Sequence, residues 1–260
     1  MIRSFISFAS RFIPRHHLQR FSAFILKIVG GFYLGNKFED PITGIKYRKL
    51  LPYGRIQSRP NALAPHSMSL ERHRLLWLYL KERTNFFTQE QSFLHIAPEY
   101  CFLKRFKKME NLTYITADLI SPWAEVKLDV QNMPFEDNLF NIILCNHVLE
   151  HVTDDKQALS ELFRVMKPGG FGIFQVPIDY SIDQTLEDES INTPKLRELH
   201  YGQRDHVRLY GSDYPDRLKD AGFIVTADKF AQNLPADLVK RYALPADEIV
   251  YLCVKPLTEQ

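Results

Sequence analysis

At 260 residues the chain can hold one large α/β domain and a smaller appendage, and its hydrophobic fraction of 45% and charged fraction of 25% are ordinary for a globular protein. A net charge of +2 gives no reason to invoke nucleic acid. No apolar run reaches transmembrane length, no long repeat supports a solenoid, and Cys101, Cys145 and Cys253 lack any ligand-like spacing, which suits small buried thiols in a reducing compartment.

Residues 1–38 carry six Lys or Arg and no acid. Ile2, Phe5, Ile6, Ala9, Phe12 and Ile13 share one helical face, Pro14 ends that helix, and a second apolar stretch runs from Leu18 to Leu34. Two readings stay open: an interfacial helix drawn to anionic lipid, with peripheral membrane contact through residues 1–35, or helices that pack on the protein's own core or on a partner. Lys27 and the lack of a small-x-small site argue against a signal peptide. Residues 39–69 are dense in turn formers (Pro41, Gly44, Pro52, Gly54, Pro60, Pro65), a loop-rich module with little core of its own. Ser69–Arg83 predicts a helix capped by Ser69, with Leu70, His73, Leu76, Trp77 and Leu80 on one packing face.

From Ser92 the pattern changes to strands alternating with helices. Ser92–Ala97 is a first strand, and Pro98-Glu99-Tyr100 turns into a helix at Cys101–Met109. Leu112–Ala117 is a second strand ending at Asp118, and Val126–Leu128 a third ending at Asp129. Phe140–Cys145 is a short apolar run, as expected of a parallel strand covered on both faces. Asn146–Asp155 breaks it with polar groups. From Lys156 to Met166, Ala158, Leu159, Leu162, Phe163 and Met166 line one helical face, and Lys167-Pro168-Gly169-Gly170 is expected to stop that helix before a fifth strand at Phe171–Val176. Pro177–Asp205 lacks clean periodicity and is acidic, and with the segment to Gly211 it is expected to act as a lid or substrate insert over 178–211. Ser212–Gly222 predicts a helix, and Phe223–Lys229 and Ile249–Val254 the last two strands. The alternation implies a doubly wound parallel sheet, whose ligands sit beyond the carboxyl ends of its strands. That places Asn146, His147 and Glu150 at the ligand end. Asp118, Asp129 and Asn146 then form an ordered set of strand-end polar groups, as a nucleoside needs for its ribose hydroxyls and its base.

The stretch LDVQNMPFEDNLFNIILCNHVLEHVTDDKQALSELFRVMKPGGFGIFQVP resembles the seven-stranded S-adenosylmethionine-dependent methyltransferases of the ubiquinone/menaquinone-biosynthesis type, over roughly residues 92–255. The resemblance implies strand order 3-2-1-4-5-7-6 with the last strand antiparallel, and S-adenosyl-L-methionine over the first and fourth strands. By position Asp118 would bind the ribose, with Leu119 also counted in the cofactor site, Asp129 and Val130 would meet the adenine, and Asn146 and His147 would lie near the methionine moiety. Such enzymes usually have an acid and a glycine-rich turn after the first strand. Here the turn reads His95-Ile96-Ala97-Pro98-Glu99, so His95, Ala97, Pro98 and Glu99 would form the cofactor wall without glycine. A narrower bacterial subgroup shares the LHIAPE segment, LERHRLLWLYL and a GQxDHVRxYG segment, matched here at Leu70–Leu80 and Gly202–Gly211. Its relatives have two C-P-x-C knuckles around an FLPYGR-like segment, as in a zinc ribbon. In this chain those positions read Asp40-Pro41-Ile42-Thr43 and Ala64-Pro65-His66-Ser67, which predicts a degenerate ribbon without metal.

The expected organisation is therefore a basic segment at 1–38, the degenerate ribbon at 39–69 and a methyltransferase domain at 70–260. The expected activity is methyl transfer from S-adenosylmethionine to a small-molecule acceptor in the cytoplasm, with His147, Asp205 and His206 as candidate acid–base groups and no metal assigned. Arg208 could hold an acidic substrate group or pair with Asp205. Two other readings compete: a non-catalytic scaffold that kept the fold, and an inverted zinc peptidase, since His147-Val148-Leu149-Glu150-His151 fits H-x-x-E-H if it lies on a helix.

Overall fold

The computed structural model describes residues 24–54 and 58–257. The expected helix over residues 2–13 lies outside them; residues 24–31 are helical. The chain divides into two compact units. One takes the chain up to Thr84 together with Tyr100–Lys104 and Phe230–Glu248, and the other takes Asn85–Glu99, Arg105–Lys229 and the chain from Ile249.

The first unit contains two small antiparallel sheets, β1 (Leu34–Asp40) with β2 (Ile45–Tyr47) and β3 (Leu51–Tyr53) with β4 (Arg59–Leu63). A small apolar cluster of Phe38, Tyr47, Leu50 and Ala64 holds them. Helix α1 (Glu71–Arg83) is buried over most of its circumference, from His73 to Leu80 with Trp77 partly covered. It starts two residues after the expected cap. Ser69 does not cap it; the backbone N–H of Leu70 donates to Nδ1 of His73, 3.1 Å away. Arg74 is fully buried and donates to the carbonyls of Ala62 and Ser69, 3.0 Å each, and of Ala243, 2.9 Å. Burial pulls its guanidinium below its usual range, and the nearby Asp40 carboxylate partly opposes this.

The second unit is built on seven strands: β5 (Gln91–Ile96), β6 (Leu112–Asp118), β7 (Val126–Lys127), β8 (Phe140–Cys145), β9 (Met166–Ile173), β10 (Ile224–Asp228) and β11 (Val250–Val254). Their spatial order is β7-β6-β5-β8-β9-β11-β10, which is 3-2-1-4-5-7-6 in chain order. β11 runs antiparallel to both neighbours, and the ladders from β7 to β9 are parallel. Alternation along β5 splits its side chains between two faces. Leu94 and Ile96 join a core with Ala158, Leu159 and Leu162 of α3 (Asp155–Val165). Phe93 and His95 point the other way into an aromatic group with Phe106 and Tyr114. The helix after β5 is α2 (Tyr100–Phe106), three residues shorter at its end than the expected helix.

Lys167-Pro168-Gly169-Gly170 is not a helix cap but lies inside β9, because α3 already ends at Val165. The glycines have a sheet role. Gly169 has φ of 75°, and a Cβ on Gly170 would stand 2.7 Å from the Asn141 carbonyl oxygen, where the β8–β9 register shifts. The insert after β9 contains α4 (Pro194–Tyr201), which no apolar period announces. α5 (Tyr214–Asp220) precedes β10, and α6 (Ala236–Arg241) belongs to the first unit.

Candidate functional site

In open sheets of this kind the ligand crevice is expected where adjacent parallel strands reach their carboxyl ends, here β5 and β8. The first residue after β5 is Ala97, with φ of 49°, and the second after β8 is His147, with φ of 55°. Both stand in the left-handed region that glycine adopts freely and L side chains enter at a cost. The glycine-poor turn thus takes a glycine-like backbone at Ala97, whose N–H donates to the Ala117 carbonyl at 2.8 Å, while that of His147 donates to the Gln175 carbonyl at 2.7 Å.

Behind Ala97 the polar groups form a continuous line. His95 is fully buried; its Nδ1 is 2.9 Å from the Tyr114 hydroxyl, and its Nε2 meets Oε2 of Glu99. Oε1 of Glu99 accepts from Asn146 Nδ2 at 3.3 Å, and Oδ1 of Asn146 accepts from the Gln175 backbone at 3.2 Å. Gln175 in turn bonds the Ile249 carbonyl and the Tyr251 amide, 2.8 Å each. His95 therefore stands beneath the crevice and orients Glu99, and Glu99 with Asn146 forms the polar surface.

Asp118 ends β6. Its Oδ1 accepts from the amides of Ile120, 2.7 Å, and Ser121, 2.6 Å, and its Oδ2 has no hydrogen bond among the described residues. Leu119 is exposed beside it. Asp129, two residues after β7, accepts from the Gln131 amide at 2.9 Å, and Gln131 Oε1 accepts from the Asp154 amide at 2.9 Å, at the start of α3. Val130 is buried between them. Strand ends of β5, β6, β7 and β8 thus present Glu99, Asp118, Asp129 and Asn146 in that order of elements.

Beyond Asn146 lies a second polar group. Leu149–His151 is a single 3-10 turn, so His147 and His151 do not occupy successive turns of one α-helix, and the peptidase geometry is not formed. His147 Nδ1 is 3.4 Å from Oε1 of Glu150, which is 2% exposed. His151 Nδ1 lies 3.2 Å from the Asp205 carbonyl oxygen and 3.7 Å from its Oδ2, and its ring meets that of His206 edge to face at 4.8 Å. His206 is 3% exposed with Nδ1 3.2 Å from the Tyr201 carbonyl oxygen. Burial lowers its pKa, with the neighbouring Glu150 opposing. The candidates His147 and His206 are brought together through Glu150; Asp205 turns its carboxylate outward, 72% exposed.

Arg208 does not pair with Asp205. Buried at 3% exposure, it donates to the carbonyls of Leu149, 2.7 Å, and Thr153, 3.0 Å, and to Glu187, 2.9 Å. Asp155 binds Arg217 and the Tyr210 hydroxyl, and Glu187 also binds Arg217. These ties pin the insert onto the turn that follows β8. They also wall a cavity of about 490 Å³ lined by Thr153, Glu187, Asp188, Arg197, Val207 and Arg208. Tyr114, Gln175 and Tyr201 support the site from elements distant in sequence, and no local pattern marks them.

In the first unit, the residues at the knuckle positions interlock. Asp40 Oδ1 accepts from the Ile42 amide and the Ser69 hydroxyl, 3.2 Å each, and its Oδ2 accepts from the Thr43 hydroxyl at 2.8 Å. Ser67 Oγ accepts from the Ser69 amide at 3.0 Å, and the Met68 amide donates to the Ala64 carbonyl at 2.9 Å. Among the described residues no helix is long and apolar enough to cross a membrane.

Residues 103–174, which hold β6 to β9 and α3, match the family model described as a methyltransferase domain. The chain is 35% identical over 99 residues to the ubiquinone/menaquinone biosynthesis C-methyltransferase UbiE of Idiomarina loihiensis, covering 35% of this chain and 39% of that protein. It is 30% identical over 128 residues to the sterol 24-C-methyltransferase erg6 of Schizosaccharomyces pombe, covering 47% and 32%. The chain thus spans about two fifths or less of these relatives' length. The structure of the [4+2]-cyclase SpnF superposes with a TM-score of 0.52 at 14% identity, over 84% of this chain and 92% of that one, a likeness of fold alone. The stretch that supplies Asp118, Asp129 and Asn146 therefore lies within the residues that match the methyltransferase model, while β5, Ala97 and Glu99 precede it.

Proposed function

We propose that the second unit binds S-adenosyl-L-methionine and transfers its methyl group to a small-molecule acceptor. The observation that carries this is the paired left-handed strand ends, Ala97 and His147, flanked by carboxylates in the order a nucleoside requires. The donor set fits the cofactor. Asp118 keeps Oδ2 for a ribose hydroxyl while two amides hold its Oδ1 in place. Asp129 and the Val130 backbone take the adenine edge, Ala97 and Pro98 form the wall, and Glu99 with Asn146 offers acceptors to the ammonium of the methionine moiety. The cofactor supplies a methyl group on a positively charged sulfur. The chain's part is positioning and exclusion of water, with His147, held by Glu150, as the group that can take a proton from the acceptor.

Calorimetric titration of the full chain with S-adenosylmethionine tests this reading. Loss of one charged hydrogen-bond acceptor removes about 1.5–3 kcal/mol, so Asp118→Ala should weaken binding roughly 10- to 100-fold. Absence of binding at about millimolar cofactor, where affinity is worth only about 4 kcal/mol, would overturn it.

We propose further that the protein works in the cytoplasm with peripheral membrane contact. Phe24, Ile28 and Phe32 are 63%, 56% and 75% exposed, and residues 1–38 bring six cations without an acid. Deleting residues 1–35 should release the chain from anionic liposomes; unchanged partition refutes the contact.

A further inference from the structure

Three polar atoms beside the crevice are sealed from solvent and carry no hydrogen bond among the described residues: Oε2 of Glu150, Nε2 of His206 and Nε2 of His147. Leaving such an atom unmade costs about 1–3 kcal/mol, and three within one turn of chain and its neighbour are too many to be incidental. Glu150, His151 and His206 each offer one ligand atom, and these lie within 4.8 Å of one another. The tautomers are set from outside. His206 Nδ1 faces the Tyr201 carbonyl and His151 Nδ1 the Asp205 carbonyl, both at 3.2 Å, so each ring donates there and keeps its lone pair on Nε2. That backbone partner on the far nitrogen is how metal-binding histidines are oriented.

We infer that Glu150, His151 and His206 form a binding site for a divalent transition ion of the Zn²⁺ type. Two imidazoles and one carboxylate suit such an ion and do not suit Ca²⁺ or Mg²⁺, which take oxygen ligands. Three protein ligands leave a tetrahedral ion at least one open position, the mark of a reactive rather than a structural site. Glu150 and His206 are buried, whereas the His151 side chain is 35% exposed and gives the ion its way in. His147 touches Glu150 through Oε1 and leaves Oε2 for the ion. Glu150 and His151 stand in the H-x-x-E-H segment after β8 and His206 comes from the insert, so sequence spacing marks two of the three ligands and not the set.

The test uses the full chain with any affinity tag removed, stripped by chelator and dialysed against Zn²⁺ or Co²⁺ without S-adenosylmethionine. The expected result is about one equivalent of either ion per chain, with a Co²⁺ visible spectrum typical of nitrogen and oxygen ligands. His151→Ala, a surface change that spares the fold, and Glu150→Gln should each weaken Co²⁺ affinity by roughly tenfold or more, since even outer partners of a metal cost that much. No retained ion, a thiolate absorption band, or affinity unchanged in both variants would overturn the site. Because no cofactor is present, failure here leaves the methyl-transfer reading standing, and the reverse also holds.

Discussion

Ala97 shows how a single residue can depart from a sequence rule while the backbone obeys it. The turn after β5 lacks glycine, yet Ala97 sits at φ of 49°. A left-handed alanine costs about 1–2 kcal/mol, and glycine would lose roughly 0.5–1 kcal/mol of that gain to the freer unfolded chain. Ala97→Gly is therefore expected to leave stability unchanged or raise it by up to about 1 kcal/mol, with cofactor binding retained. Ala97→Val places a β-branched side chain in the same well and should cost about 1–3 kcal/mol. Urea unfolding of both variants checks this; a clear loss of stability in the glycine variant would mean that the turn does not take this shape. Residues such as Asp118 and Asn146 were legible in the sequence because an apolar run ends at each. Tyr114 and Gln175 were not, because the groups they hold lie on neighbouring strands, and pairing across a sheet leaves no local trace. His95 was legible as part of the turn, but its alternation onto the aromatic face, beneath Glu99, comes from the strand period acting within a sheet covered on both sides.

Among the elements, the two turns of the first unit at the positions the resemblance aligns with cysteine knuckles each close on a left-handed residue. Gly44 at φ of 71° follows Thr43, and Met68 at φ of 62° follows Ser67, each closing a turn back onto Asp40 or Ala64. The Asp40–Ser69 hydrogen bond shows that the turns are adjacent. Hydrogen bonds of about 1 kcal/mol each stand where metal–thiolate bonds would supply far more. Replacing Asp40, Thr43, Ala64 and Ser67 together by cysteine should therefore create a tetrahedral Zn²⁺ site, seen as a zinc-dependent rise in the melting temperature and a Co²⁺ thiolate band. Thermal unfolding unchanged by zinc would show that the turns no longer converge. Elsewhere, α4 had a legible frame despite its irregular interior: Thr193 caps it, Pro194 opens it and Gly202 closes it at φ of 80°. Its apolar residues follow no stripe because Leu199 faces solvent and only Tyr201 is buried. The glycine pair of β9 was misleading for the opposite reason: the same residues that end helices also permit close strand approach, and sequence order alone does not separate the two uses.

For the molecule as a whole, the alternation of strands and helices made a doubly wound parallel sheet legible, and the strand order came from the resemblance, with which the observed order agrees. The grouping of chain segments was not legible. The first unit collects α1, Tyr100–Lys104 and Phe230–Glu248, the last more than a hundred residues from the others, through hydrogen bonds such as Arg74 to the Ala243 carbonyl. Both units depend on carboxylates held ionised by arginine, and this sets their response to acid. Burial alone would raise the Glu71 carboxyl, but its fork with Arg59 wins and the net direction is down. Arg164, through its hydrogen bonds, lowers Glu161. For Glu187 burial again opposes, and Arg217 and Arg208 outweigh it. A carboxyl whose folded pKa is depressed stabilises the fold above its unfolded pKa, about 4.3 for Glu, and loses that contribution as pH falls through the folded value. Stability should thus be flat in this respect from about pH 7 down to about pH 5, then fall steeply below about pH 4.3 as the unfolded chain takes up protons first. Glu161→Gln removes one of these carboxylates, and it should lower the urea midpoint near neutrality while making the acid limb shallower. If the midpoint of the unaltered chain instead holds steady between about pH 4.3 and about pH 3, where the unfolded glutamates are already protonated, the arginine-bound carboxylates are not the groups that keep each unit folded.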